Sequence, residues 1–140
     1  MNSNSQTKKQ FGSCLCGQAT YEIEGEFDLF LFCHCTYCQK DTGTIYAANL
    51  ISHSAKLNWL SGEEHTKIYN LKGTRHTKCF CKNCGSALPY LYEGKMLVLP
   101  AGSIEFEPQI APTAHVFYSS RAKWEDSLTQ TAKFDQFPNG

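Results

Sequence analysis

The sequence predicts a mainly β fold, and three observations carry that prediction. Its apolar segments are short, rich in aromatic and β-branched residues, and separated by turn signals about every eight to twelve residues. Ala19, Tyr21 and Ile23 alternate with Thr20, Glu22 and Glu24, the period of a strand with one buried face. Eight cysteines among 140 residues fall into three tight clusters, Cys14-x-Cys16-Gly17, Cys33-x-Cys35-x-x-Cys38 and Cys79-x-Cys81-x-x-Cys84-Gly85. Spacings this short aim neighbouring thiolates at one tetrahedral ion about 2.3 Å away, which is the chemistry of zinc. The expected domain is therefore mainly β, built of short antiparallel strands and anchored by metal.

Taken in order, residues 1–10 are polar after Met1 and read as a disordered tail ahead of a single domain, 11–140. They lack the apolar stretch and small-residue cleavage site of a signal peptide. A half-buried strand is expected over 19–23. The segment 27–33 is apolar on both faces and suits a central strand. Further strands are expected at 46–51, 67–71, 75–81, 88–92, 96–101 and 115–118, with Glu93-Gly94 as a hairpin turn. Short helical turns fit only at 39–42 and 124–128. Pro100, Pro108 and Pro112 punctuate the later connections, because proline cannot donate to a central ladder.

Composition narrows the function. With 41% hydrophobic and 13% aromatic residues, the chain can bury one core. Thirteen basic and thirteen acidic residues cancel, so the basic footprint of a nucleic-acid binder is missing. No apolar run approaches the length of a membrane span. A disulfide framework would require an oxidising compartment, whereas this chain reads as cytoplasmic, where thiols more often ligate metals or catalyse.

Cys81-x-x-Cys84-Gly85 has the form of a zinc knuckle, in which glycine permits a positive φ and lets backbone amides point at sulfur. Cys14-x-Cys16-Gly17 ends in the same way. Cys14, Cys16, Cys81 and Cys84 together make a closed structural site joining the first strand to the middle of the fold. The central cluster then offers three thiolates, Cys33, Cys35 and Cys38. Three protein ligands typify a catalytic zinc, whose fourth position is left to water or substrate. Cys79 could instead close that site as a fourth ligand, and counting leaves both arrangements open.

These motifs resemble the glutathione-dependent formaldehyde-activating enzyme family, which includes centromere protein V. The resemblance rests on Gly12-Ser13-Cys14-Leu15-Cys16-Gly17, Cys33-His34-Cys35-x-x-Cys38 with Gly43, Phe80-Cys81-x-x-Cys84-Gly85, Ala114-His115-Val116-Phe117 and Ser120-Arg121-x-x-Trp124. Cys79 stands outside that pattern. The resemblance implies a zinc-anchored β-tent of short antiparallel sheets, with a structural zinc shared by the first and third clusters and a catalytic zinc on the middle one. It further implies a carbon-sulfur lyase resembling S-(hydroxymethyl)glutathione synthase, which adds the glutathione thiol to formaldehyde, or joins a related thiol and aldehyde. A non-catalytic zinc module that binds protein or glutathione is the alternative.

Glutathione is anionic, so its carboxylates would need cationic partners. Arg121, Lys123, Lys40 and Arg75 are the candidates, and Trp124 and Tyr37 could wall a cleft. In an extended segment His34 points away from its flanking cysteines. His115 suits a hydrogen-bonded structural role, and His53, His65 and His76 show no constellation in the sequence.

Overall fold

A computed structural model describes residues 8–138. The strands are β1 (Lys9–Ser13), β2 (Thr20–Glu24), β3 (Leu29–Cys33), β4 (Ala47–Ser52), β5 (Lys56–Ser61), β6 (Thr66–Asn70), β7 (Thr77–Cys81), β8 (Ala87–Leu88), β9 (Tyr90–Tyr92), β10 (Met96–Pro100) and β11 (Ala114–Val116). One α-helix, α1 (Thr36–Thr42), follows β3. The segment Lys123–Gln130 is a 3₁₀ helix, where only a short turn was expected. The protein is mainly β, as its sequence patterning predicts.

Three sheets form, ordered β1-β2-β5, β11-β3-β4-β10-β9 and β6-β7-β8. Lys9 and Gln10, assigned to the polar tail, instead open β1; the rest of that tail, residues 1–7, lies outside the described residues. The composition misleads there because β1 is inverted. Gln10 and Gly12 face inward, while Phe11 is 47% exposed. Gly12 lies so close to the Tyr21 ring that a Cβ there would overlap the phenol. In β2 the expected alternation holds, with Tyr21 and Ile23 fully buried between half-buried neighbours. Its other partner, β5, places Leu57 and Trp59 opposite Ile23 and Tyr21.

In the five-stranded sheet, β3 runs between β4 and β11, the interior position its two-sided apolarity predicts. β11 pairs with β3 in parallel, a departure from the antiparallel expectation. The β9–β10 hairpin turns through Glu93 and Gly94, both at positive φ. The expected strand at 88–92 splits at Pro89, which has no N–H to offer a ladder, so that β8 and β9 join different sheets. Pro100 is tolerated as the last residue of β10.

Tyr21, Ile23, Leu50, Leu88, Leu97 and Leu99 are fully buried and belong to one core contributed by all three sheets. Cys14 and Cys81 belong to the same cluster. Truncating Leu50 to alanine should therefore cost about 2–5 kcal/mol, the lost transfer energy plus the cavity left behind. The urea midpoint measures this, and an unchanged midpoint would show that Leu50 is not part of a packed core. Among the described residues, no helix is long and apolar enough to cross a membrane.

Candidate metal centres and active site

All eight cysteines are free. Seven of them gather into two groups, Cys14 with Cys16, Cys81 and Cys84, and Cys33 with Cys35 and Cys38; the sulfurs within each lie within 4.8 Å of one another. In the first group Cys14 and Cys16 are 3.6 Å apart, and Cys16 and Cys81 are 3.9 Å apart. Four sulfurs at 2.3 Å around one tetrahedral ion would be separated by about 3.8 Å, whereas a disulfide brings its sulfurs to about 2.05 Å. The arrangement fits a metal ion and not a bridge.

The local chain explains why. Gly17 and Gly85 adopt φ of 82° and 78°, turning each knuckle so that the backbone folds back on its cysteines. The amide of Gly85 donates to the Cys81 carbonyl, and those of Ala19 and Asn83 donate to the Cys14 and Cys81 sulfurs at 3.3 and 3.4 Å. The Leu15 amide donates to Ser86 Oγ, tying one knuckle to the other. Before any ion binds, the Ser86 hydroxyl and amide hold the Cys84 thiol down to about 5.

The second group is built differently. Cys33 ends β3, Cys35 caps α1 and Cys38 lies in its first turn. The Cys38 amide donates to Cys35 Sγ at 3.3 Å, so that sulfur satisfies an otherwise orphaned helix donor. Burial works against ionising Cys35, but hydrogen bonds from Cys38, and Cys33 nearby, outweigh it and hold the thiol below its usual range. Burial raises Cys33 and Cys38. The intervening residue is pinned on both sides: the His34 amide donates to the Val116 carbonyl, and Gln39 Nε2 donates to the His34 carbonyl.

Cys79 joins neither group. It is buried on β7, packs into the core with Cys14 and Cys81, and has its thiol raised by burial. The middle group therefore has three sulfurs and no fourth cysteine, the arrangement of an open metal site.

A cavity of about 180 Å³ opens beside Cys38, with Arg75, Lys78 and Tyr90 in its wall. It shares Thr42, Ala48, Ala87 and Pro100 with a wider groove of about 780 Å³. Arg75 is exposed and forms no ion pair among the described residues. Arg121, by contrast, is engaged: its guanidinium holds Asp126 at 3.1 and 3.2 Å and lies over the Tyr118 ring. Lys123 and Trp124 follow on the 3₁₀ segment, and none of these three lines the cavity. Tyr37, suggested as a cleft wall, is half exposed with its ring 5.8 Å from that of His76.

Behind these three sulfurs, His34 is wholly buried. Its Nε2 lies 2.8 Å from His115 Nδ1, and its Nδ1 lies 3.0 Å from Glu125 Oε1, an ion-pair distance at which neither atom has an aligned hydrogen bond. His115 thus has the hydrogen-bonded role its sequence suggested. Each partner thus engages a different nitrogen of His34, and one ligand atom from each of the three lies within 4.8 Å of the others. These contacts join the C-terminal segment to the turn between Cys33 and Cys35. Separation in sequence hid Glu125 from sequence reasoning.

The model of the glutathione-dependent formaldehyde-activating enzyme family matches residues 9–120. A Halomonas elongata protein named as a candidate glutathione-dependent formaldehyde-activating enzyme is 31% identical over 143 aligned positions, covering 91% of this chain and 88% of that one. The fold is shared with a Rhodobacter sphaeroides protein of known crystal structure, at a TM-score of 0.51 and 18% identity, over 76% of this chain and 99% of the other. A family match over most of the chain, together with a relative that spans nearly all of it, shows that this protein belongs to the glutathione-dependent formaldehyde-activating enzyme family.

Proposed function

We propose that the chain is a cytoplasmic, zinc-dependent carbon-sulfur lyase that adds the thiol of glutathione to formaldehyde, with a structural zinc at Cys14, Cys16, Cys81 and Cys84 and a catalytic zinc at Cys33, Cys35 and Cys38. The observation that carries this reading is the three-sulfur group beside a cavity, with Cys79 lining that cavity but standing outside the group. Zinc at such a site supplies an ionised thiol or a polarised carbonyl oxygen at neutral pH. The residues around it supply the rest. Arg75 offers a free guanidinium for a glutathione carboxylate, a role for which Arg121 is less available because Asp126 occupies it. The wider groove extends the cavity to hold the remainder of a tripeptide. Burial and the Asp41 charge push the Tyr90 phenol up to about 12, keeping it a neutral donor for an oxygen in the cavity.

Thiol addition to formaldehyde also proceeds without a catalyst, so the test is acceleration. Exchange NMR between glutathione and its hydroxymethyl adduct should show a rate proportional to protein and at least about tenfold above the uncatalysed exchange. X-ray absorption should show glutathione adding a sulfur to one of two zinc ions. An exchange rate equal to background, with sulfur coordination unchanged by glutathione, would identify a non-catalytic zinc module instead.

A further inference from the structure

The wall of the cavity beside Cys38 carries a second constellation. His76 Nε2 lies 2.7 Å from Asp41 Oδ2, and Lys78 Nζ lies 2.6 Å from Asp41 Oδ1. Asp41, His76, Lys78 and Cys38 all line that one cavity. Each oxygen of Asp41 has its own partner, so Lys78 fixes the plane of the carboxylate and the carboxylate fixes the ring. His76 Nε2–H donates to Asp41, which leaves Nδ1 with the lone pair. Nδ1 has no partner among the described residues, yet it is not sealed away from solvent. A carboxylate orienting an imidazole whose other nitrogen is free is how a base is held in one tautomer.

From this geometry we infer that His76 carries the proton of the addition, with Asp41 as the residue that positions it; the inference rests on the function proposed above. The addition needs one proton moved and no redox partner. The thiol S–H bond breaks and its proton passes to His76 Nδ1. The sulfur pair forms the S–C bond, the carbonyl π pair moves onto oxygen, and Nδ1 returns the proton to that oxygen as O–H. One imidazole thus serves both halves and ends as it began. The cavity, at about 180 Å³, has the volume of roughly six waters, enough for a thiol carbon and a one-carbon aldehyde. The titratable and charged groups around His76 are Tyr37, Cys38 and Asp41 from α1, Lys78 and Cys79 from β7, Tyr90 from β9 and Arg75 just before β7.

The test compares wild type, His76→Gln and His76→Ala by exchange NMR across pH, with zinc content measured in each. H76Q should lower the catalysed rate about a hundredfold with the thiol KM and both zinc ions retained, as removal of a general acid-base group does. Its rate should lose the fall toward acidic pH that protonation of the base imposes on wild type, and added imidazole should restore H76A in proportion to its concentration. A rate within about threefold of wild type with an unchanged pH profile, or no imidazole rescue of H76A, overturns the inference. Should either variant lose zinc, Asp41→Asn carries the test, with the same slowed rate and altered profile expected. Wild type at background would instead sink the parent reading, so the two failures are distinguishable.

Discussion

Cys35→Ser is expected to bring glutathione-formaldehyde exchange down to the uncatalysed rate while leaving the protein folded. The two halves of that expectation come from the two jobs of one sulfur. As a cap, Cys35 accepts the Cys38 amide at the start of α1. Serine is among the best residues for that position, so the helix should keep its first turn and the stability should shift by less than about 1 kcal/mol. As the proposed ligand, Cys35 is the member of its trio whose metal-free thiol is held below the usual range, and a serine hydroxyl ionises far less readily. The middle group would be left with Cys33 and Cys38, both raised by burial. Two such thiols are too few for a stable zinc site. Zinc should fall from two ions to one, with the melting curve nearly superimposable on wild type. Retained acceleration in this variant would place the chemistry away from the trio, and a lost fold would mean that the middle group is structural.

How much of this was legible beforehand depends on whether the signal was local. The knuckles were, because ligand spacing and a following glycine are fixed within a few residues; the sulfurs of Cys14, Cys16, Cys81 and Cys84 do gather as the spacing predicts. β2 was legible because Tyr21 and Ile23 obey a period of two. β5 was not: Leu60, 53% exposed, directly follows the half-buried Trp59, and that pair breaks the alternation. β1 hid behind a buried glutamine and an exposed phenylalanine. The parallel placement of β11 is set by long connections, about which periodicity says nothing. The same limit applies at the candidate site. Asp41 and His76 are 35 residues apart and meet only because α1 and the start of β7 face the same cavity. Arg75 and Arg121 look alike as sequence, and only the packing shows that one is free and the other is bound to Asp126.

Removing metal from the four-sulfur group should unfold the protein, whereas emptying the three-sulfur group should not. A structural zinc contributes about 10–16 kcal/mol in small metal-dependent domains, as much as or more than the whole stability of an ordinary domain. Here the ion would also close a loop of 65 residues between Cys16 and Cys81, holding the β1–β2 turn against the end of β7. Cys14 and Cys81 are almost wholly buried within the core that contains Tyr21, Leu50 and Leu99, so loss of the ion opens that core. Cys16 is exposed, which gives a chelator a route in. On the proposed function the trio leaves one position for substrate and should hold its metal less tightly. Titration with a strong chelator should thus proceed in two stages, the first abolishing exchange with circular dichroism intact, the second removing the fold. Cys81→Ser should reproduce the second stage alone, giving a chain that does not melt cooperatively at any zinc concentration. A metal-free protein that still melts cooperatively near the wild-type temperature would show that the three sheets hold together without the ion, and would remove the structural role assigned to the knuckles.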